Sequence, residues 1–294
     1  MNKRYQDLKV TPGTYVPPVK TDYPEDDPYV GLYKPVYDRD FPAVDATYPY
    51  ANDSFYVRWR SFWGYIFVLR TLGLILRIKY GLRWKLEGDK HWTRCSWITR
   101  WRLLRKYDLH KGAITVANHC YRHDAASVLN AIHASHNTRI PMFAPNFKTK
   151  DQRFLVWVGG IPIPEAEAGL SAMKAFNSAF DEYDAKGYWF HIFPEAKRWD
   201  WYKPLRPFQK GAFTMAYKYN KPILPCAITY RERTGLWRLF GPKDEPLTQV
   251  VIGAPIYPDT TKPRAVEVER LLNETHATVC RLAGIKKNSW PSQL

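Results

Sequence analysis

After residue 81 the chain alternates short apolar or β-branched runs with amphipathic stretches. Leu82–Glu87 sets Leu82, Trp84 and Leu86 against Arg83 and Lys85, the period of a half-buried strand. Ile114–Ala117 is a buried-strand pattern that stops at Asn118-His119. Ala125–His136 then places Val128, Leu129 and Ile132 on one helical face. Arg139–Ala144 reads as a strand, and Asp151–Val158 as a short helix ending at Gly159-Gly160. Ile161-Pro162-Ile163-Pro164 is too rich in proline for a central strand. Glu167–Lys186 predicts a helix with apolar Leu170, Met173, Phe176, Ala179, Phe180 and Tyr183 and with Gly187 as its C-cap. Tyr188–Phe193 reads as a strand, Gly211–Lys218 as a helix, Ile223–Tyr230 and Gln249–Gly253 as strands, and Arg264–Leu282 as an amphipathic helix. This alternation predicts one α/β domain over 82–286, a mixed or parallel sheet flanked by helices, with 287–294 as a tail.

Two upstream segments break the pattern. Residues 1–53 are rich in Pro, Tyr and Asp and show no sustained period, so they are expected to be extended or partly disordered, with Tyr and Phe residues that can drape over the body or a lipid surface. Residues 54–81 hold Phe55, Trp59, Phe62, Trp63, Ile66, Phe67, Leu74 and Ile75 beside Arg58, Arg60, Arg70, Arg77 and Lys79. A membrane-crossing helix wants roughly 18 or more apolar residues with few charges. Arg70 interrupts the run, and Arg70 and Arg77, seven apart, share one stripe opposite much of the apolar surface. An amphipathic helix in the membrane interface is expected, with aromatics in the acyl boundary and arginines at headgroups. A buried core helix is the competing reading. Residues 91–111 interleave Trp92, Trp97 and Trp101 with Arg94, Arg100, Arg102 and Arg105; beside the aromatic helix this extends a membrane-facing patch.

Composition narrows the partners. The chain of 294 residues carries a formal charge of +16, 12 Trp and 20 Tyr. That balance suits an anionic membrane surface, a phosphorylated substrate or nucleic acid. Nucleic acid is the least favoured of these, because the basic residues lie next to the aromatic helix; a basic nucleic-acid-binding protein without activity remains the competing class. Cys95, Cys120, Cys226 and Cys280 make no paired spacing, which argues against a disulfide framework or a zinc site; no metal ligands are expected. No signal-peptide core is visible in residues 1–53.

The candidate chemistry sits where Ile114–Ala117 ends. A histidine at a strand-to-helix junction lies at the edge of an α/β sheet, where polar groups emerge. Neutral His119 there can take a proton from a substrate hydroxyl, and Asp124, about a helical turn further on, can hold the other ring nitrogen and fix its tautomer. The bland alternative is a polar loop with a helix-starting aspartate. Cys120 reads as a tolerated small side chain rather than a nucleophile, His123 as incidental and His191 as a satisfied core histidine. A second polar cluster, Pro194–Arg198, follows the Tyr188–Phe193 strand.

These residues resemble the PlsC-like glycerolipid and lysophospholipid acyltransferases. Asn118, His119 and Asp124 match that family's Asn-His-x4-Asp motif, and Phe193-Pro194-Glu195-Ala196-Lys197-Arg198 resembles its Phe-Pro-Glu-Gly-Thr-Arg. Phe208-Gln209-Lys210-Gly211-Ala212-Phe213 is similar to its Phe-Lys-x-Gly-Ala segment, and Lys221–Cys226 to its proline-containing strand. The resemblance covers roughly residues 81–258. It departs at Glu165, which stands where an arginine usually contacts the acceptor's phosphate, and at Ala196 and Lys197.

The resemblance implies transfer of a fatty acyl group from acyl-CoA, or from acyl carrier protein, to the hydroxyl of a lysophospholipid, with the thioester as co-substrate and no other cofactor. It implies His119 as general base with Asp124, and Asn118, Gly159, Glu195, Lys197 and Arg198 as substrate-binding residues. Backbone N–H groups near the helix start, or Lys148, would stabilise the oxyanion. A peripheral or monotopic enzyme on the cytoplasmic face of a membrane is the expected setting. Glu165 keeps a non-phosphate acceptor, such as a lyso-aminolipid or glycolipid, as the alternative.

Overall fold

The computed structural model describes residues 3–19, 42–148 and 152–290. Its strands are β1 (Lys9–Val10), β2 (Arg83–Leu86), β3 (Ile114–Ala117), β4 (Thr138–Phe143), β5 (Gly160–Ile163), β6 (Trp189–Ile192), β7 (Ile223–Arg231), β8 (Leu247–Ile252) and β9 (Ile285–Lys287). Seven of them form one sheet in the order β2-β8-β7-β3-β6-β4-β5. The five strands from β7 to β5 run parallel; β8 is antiparallel to β7, and β2 is parallel to β8. Central β3 is buried on both faces, which is why its sequence is apolar or β-branched throughout.

The pleat divides the core. Ala113 and Ala117 face a cluster built with Leu69, Leu76, Trp84, Leu103 and Leu129. Ile114 and Val116 face a second cluster with Phe180, Phe213, Leu271 and Val279. The helices Asp124–Ala131 and Ser96–Tyr107 thus serve one side, and Gly169–Ala185, Gly211–Tyr219 and Arg264–Leu282 serve the other. Observed elements fall close to those predicted, and Arg264–Leu282 coincides, but the helix expected over Ala125–His136 stops at Ala131. The Ile-Pro-Ile-Pro stretch does form a strand, but at the sheet edge against β4 alone, where proline is tolerated. Leu170, counted on a buried face, is 90% exposed because it sits in the first turn of its helix.

Phe55–Lys79 is one continuous helix, widened to π geometry over Gly64–Leu69. By length and composition it is apolar enough to cross a membrane. Its packing overturns the expected place of two arginines. Arg70 turns into the domain and donates to Ala134 O (2.5 Å) and Asn130 Oδ1 (3.4 Å). The Arg77 guanidinium lies 5.3 Å from the Trp84 ring centroid. The arginine stripe is therefore the docking face: carbonyls after helix Asp124–Ala131 lack intrahelical partners and take the cation. Phe55, Trp59, Phe67, Leu74 and Ile78 are left exposed. Contact is close because Gly73 has no side chain; a Cβ there would lie 2.3 Å from Asn130 Oδ1.

Beyond the domain's predicted limits, both ends of the chain are attached. β1 pairs antiparallel with β9. Tyr50 is buried, and Asp53 accepts from Tyr188 Oη (2.8 Å) and Lys186 Nζ (2.9 Å). Trp290, assigned to a tail, is buried against Trp199 and Tyr202, so the packed domain extends past 286. Helix Ser96–Tyr107 buries Leu103 and receives the Trp84 indole N–H at Thr99 Oγ1 (2.9 Å), leaving Trp97 and Trp101 exposed.

Gly73→Val should lower stability by about 1–3 kcal/mol in urea unfolding, the cost of overpacking a close contact. Gly211→Ala, with no atom within 4 Å of the added Cβ, should stay within about 0.5 kcal/mol of the parent.

Candidate active site

At its C-terminal end β3 is closed by Asn118, whose buried amide copies a ladder pair: Oδ1 accepts from Ile228 N (2.7 Å) and Nδ2 donates to Ile228 O (3.1 Å). The side chain takes hydrogen bonds that the next β3 residue would have made with β7, so the chain leaves the sheet at His119. Five residues later Asp124 begins the helix and is 1% exposed. Its Oδ2 accepts from Cys120 N (2.5 Å), Tyr121 N (2.7 Å) and His119 Nδ1 (3.1 Å). The Nδ1 contact fixes the tautomer and leaves Nε2 as the base. His119 is 22% exposed at the side chain, and the Phe193 ring stacks on it at 4.0 Å between centroids.

A second carboxylate holds the histidine from behind. Glu195, 3% exposed, accepts the His119 backbone N–H at Oε1 (2.8 Å). Its Oε2 accepts from Arg206 N (3.2 Å) and Nε (3.0 Å), and Arg206 is 1% exposed with its guanidinium 4.7 Å from the Trp199 ring centroid. Backbone bonds from Trp199 N to His119 O (3.3 Å) and from Trp201 N to Cys120 O (2.8 Å) join the loop after β6 to the loop after β3. Ala196 turns within this loop at φ 63°, where a glycine would be at ease; an L-residue there costs about 1–2 kcal/mol.

Burial governs the charge states. It pulls His119 down to about 3, with the Arg198 guanidinium acting in the same direction. It pushes Asp124 up to about 8, opposed by the N–H donors of Tyr121 and Cys120. Burial also raises Glu195, opposed by Arg206, and raises the Cys120 thiol well above its ordinary value. Cys120 is thus a buried neutral thiol, unsuited to attack.

Of the residues singled out from sequence, the fold brings His119, Asp124, Glu195 and Arg198 to one end of the sheet. Arg198 pairs with Asp200 (Nε to Oδ1, 2.7 Å), and Lys197 is exposed. Asn118 and Glu195 are placed to support His119, their polar atoms committed to protein partners. Gly159 is not brought to the site. The pairing of Ile140 with Gly160 and of Arg139 with Phe190 sets it level with the start of β3, at the opposite end of the sheet. Its φ is +83°, and a Cβ would lie 2.2 Å from Thr138 O, so glycine is required there by the turn into β5. Glu165 is exposed just beyond β5, at the His119 end of the sheet but separated from it by β6 and β4.

The backbone N–H groups expected to face an oxyanion are already engaged: His119 N by Glu195, Cys120 N and Tyr121 N by Asp124. The Lys148 side chain lies outside the described residues. His123 makes edge contacts with Tyr80 and Tyr121, and His191 is buried against Thr115 Oγ1 (Nδ1, 2.8 Å). Among the described residues no His, Cys, Asp and Glu group has a metal-binding arrangement. Sequence reasoning missed Arg206: nothing in its Trp- and Pro-rich surroundings marks it as the partner of a carboxylate eleven residues earlier.

Residues 99–229 match the protein-family profile described as Acyltransferase, a span that holds β3 to β6, most of β7 and both polar clusters. Among solved structures, the chain is similar to the 1-acyl-sn-glycerophosphate (LPA) acyltransferase PlsC from Thermotoga maritima, with 18% identity and a TM-score of 0.43, over 79% of this chain and 90% of that one. No curated protein matches the chain.

Arg206→Leu leaves the Glu195 charge buried without its partner and should destabilise the protein by about 3–5 kcal/mol in denaturant unfolding. Arg206→Lys, which keeps the charge, should recover part of that loss.

Proposed function

We propose, on the match of residues 99–229 to the Acyltransferase family profile, that the chain moves a fatty acyl group from a thioester, acyl-CoA or acyl carrier protein, to the hydroxyl of a lysophospholipid. The observation that carries the mechanism is the His119 ring, held at Nδ1 by Asp124 and open at Nε2. Nε2 takes the hydroxyl proton while the oxygen attacks the thioester carbonyl. The tetrahedral intermediate expels the thiolate, which receives that proton from the imidazolium, so no acyl-enzyme forms. Asp124 keeps the Nδ1 proton and stabilises the imidazolium, the division of labour of a base-and-orienter pair. Because the nearby N–H groups are spent on carboxylates, charge on the tetrahedral oxygen falls to the cations of the second loop, Arg198 and Lys197.

A water-insoluble substrate calls for a membrane, and the exposed side of Phe55–Lys79 supports contact with one. Trp59, Phe62, Ile66, Phe67, Leu74, Ile75 and Ile78 are 40–60% exposed on a helix whose other side is fixed to the domain. That arrangement favours a helix lying in the interface over one that crosses, on the anionic cytoplasmic leaflet where a charge of +16 is attracted. Glu165 favours a second reading of the acceptor: a carboxylate exposed at the catalytic end of the sheet repels a phosphate and suits an acceptor without one.

His119→Ala should cut thiol release from long-chain acyl thioesters by at least about 10²–10⁴-fold, the usual worth of a general base, with Asp124→Asn also severely reduced. The check is a panel of lysolipid acceptors read by mass spectrometry of the acylated product. Thiol release from none of them would overturn the acyltransferase reading for this chain.

The pH dependence has a defined sign. Asp124 can hold Nδ1–H only as a carboxylate, and its raised value of about 8 means this form is lost as pH falls. His119, depressed to about 3, stays an unprotonated base throughout that range. Turnover at saturating substrate should therefore rise with pH through about 8 and level off above it. A rise centred near 6.5 would instead report an ordinary histidine.

A further inference from the structure

Between β7 and β8 the chain makes a surface loop whose short helical turn, Gly235–Arg238, leaves Leu236 at 73%, Leu239 at 77% and Phe240 at 50% exposure. The loop frame is pinned. Arg233, itself buried, donates from Nη1 to Lys79 O (2.8 Å), Trp237 O (2.9 Å) and Phe240 O (2.5 Å), and from Nε to Glu245 O (3.0 Å). Gly241, at φ +78°, passes so near the helix that a Cβ would meet Lys79 O at 2.7 Å. The Trp237 indole donates to Arg77 O (3.4 Å), and the guanidiniums of Arg231 and Arg94 lie 4.8 and 5.5 Å from its ring centroid. Three large apolar side chains are thus held out in water by a scaffold that prevents their collapse.

Two features indicate what covers them. The loop is locked to the last turn of Phe55–Lys79, where Leu74, Ile75 and Ile78 are 53%, 40% and 49% exposed, so the apolar surface of the helix continues into the loop. Around that junction stand Lys79, Arg94, Arg231, Arg238 and Lys243. The acids Glu232, Asp244 and Glu245 share with Arg238 and Lys243 the lining of a cleft of about 590 Å³ between the loop and Tyr15, and Glu245 accepts from Tyr121 Oη (2.7 Å). Apolar tips among cations are the complement of anionic headgroups over acyl chains.

We propose that the β7–β8 loop is a second membrane anchor, inserting Leu236, Leu239 and Phe240 into an anionic bilayer beside the aromatic helix. This rests on the membrane reading of Phe55–Lys79 and deepens it. With the loop and the helix both seated, the His119 segment, tied to the end of the helix through the Tyr80 contacts with Tyr121 and His123, is held near the lipid surface.

Proteins with one accessible cysteine test this: Cys95 and Cys280 are changed to serine, Cys120 and Cys226 stay buried, and an environment-sensitive fluorophore is placed by Leu239→Cys, Phe67→Cys or Glu269→Cys in the full chain. On vesicles of phosphatidylcholine with phosphatidylglycerol, the probes at 239 and 67 should shift to the blue and be quenched by lipids carrying a nitroxide in the acyl chain. The probe at 269, on the helix Arg264–Leu282, should do neither. Leu236→Glu with Leu239→Glu should weaken vesicle binding about tenfold or more, since two buried leucines are lost. If 67 is quenched and 239 is not, the loop proposal is overturned and the helix reading survives. If neither is quenched, both are overturned. A vesicle-independent blue shift at 239 that grows with protein concentration would assign the loop to a second copy of the chain and also overturn the proposal.

Discussion

Keeping two carboxylates out of water beneath one imidazole is the constraint on which the site depends. Asp124 and Glu195 are 1% and 3% exposed, and an unpaired charge so placed would cost several kcal/mol. Each is therefore saturated with donors: Asp124 by two backbone N–H groups and the ring, Glu195 by one backbone N–H and by Arg206. All the named donors to Asp124 and one of those to Glu195 belong to the histidine segment itself, so satisfying the carboxylates and locating the histidine are one event. Asp124 fixes the ring and Glu195 fixes the backbone that carries it. Arg206 enters the same account as the counter-charge without which Glu195 could not stay ionised at depth.

That solution has a consequence for chemistry. Backbone N–H groups at the start of a helix are a common resource for stabilising a developing anion. Here they are consumed in holding Asp124. On the proposed reaction the side-chain cations of the loop after β6 take their place, and that loop's backbone is joined to the histidine loop through Trp199 and Trp201. Its left-handed alanine, Ala196, keeps the turn that presents Lys197 and Arg198, at a conformational cost a glycine would avoid. Position and charge at the site are thus set by contacts between two loops that are separated by some seventy residues of sequence.

This explains which features were legible beforehand. The sheet and its helices follow local periodicity, and β3 stopping at Asn118 is written in one run of residues. His119 and Asp124 were readable as a pair because the contact is local, across a single strand-to-helix junction. Arg70 was assigned to headgroups because a charge on an apolar helix is ordinarily sent to water. Its actual partners, Ala134 and Asn130, lie about sixty residues away and leave no periodic trace. Gly73 and Arg206 were invisible for the same reason: one is defined by a close approach, the other by a distant buried acid. Gly159 shows the converse error. A glycine inside a recognisable motif was given to substrate, when backbone geometry at the far end of the sheet already demands it.

The inward arginines also bear on how a lipid substrate is met. An amphipathic helix whose cations faced headgroups would be free to roll on the bilayer. With Arg70 and Arg77 turned to the domain, the helix is locked in rotation, and its exposed apolar side is fixed relative to β3 and the histidine at its end. Tyr80 follows the helix directly and contacts Tyr121 and His123, so the geometry passes from helix to catalytic loop within a few residues. On the proposed reaction this orientation decides between transfer and hydrolysis. The hydroxyl that reaches Nε2 is drawn from whichever phase the catalytic loop faces, and on the proposed membrane contact that phase is lipid.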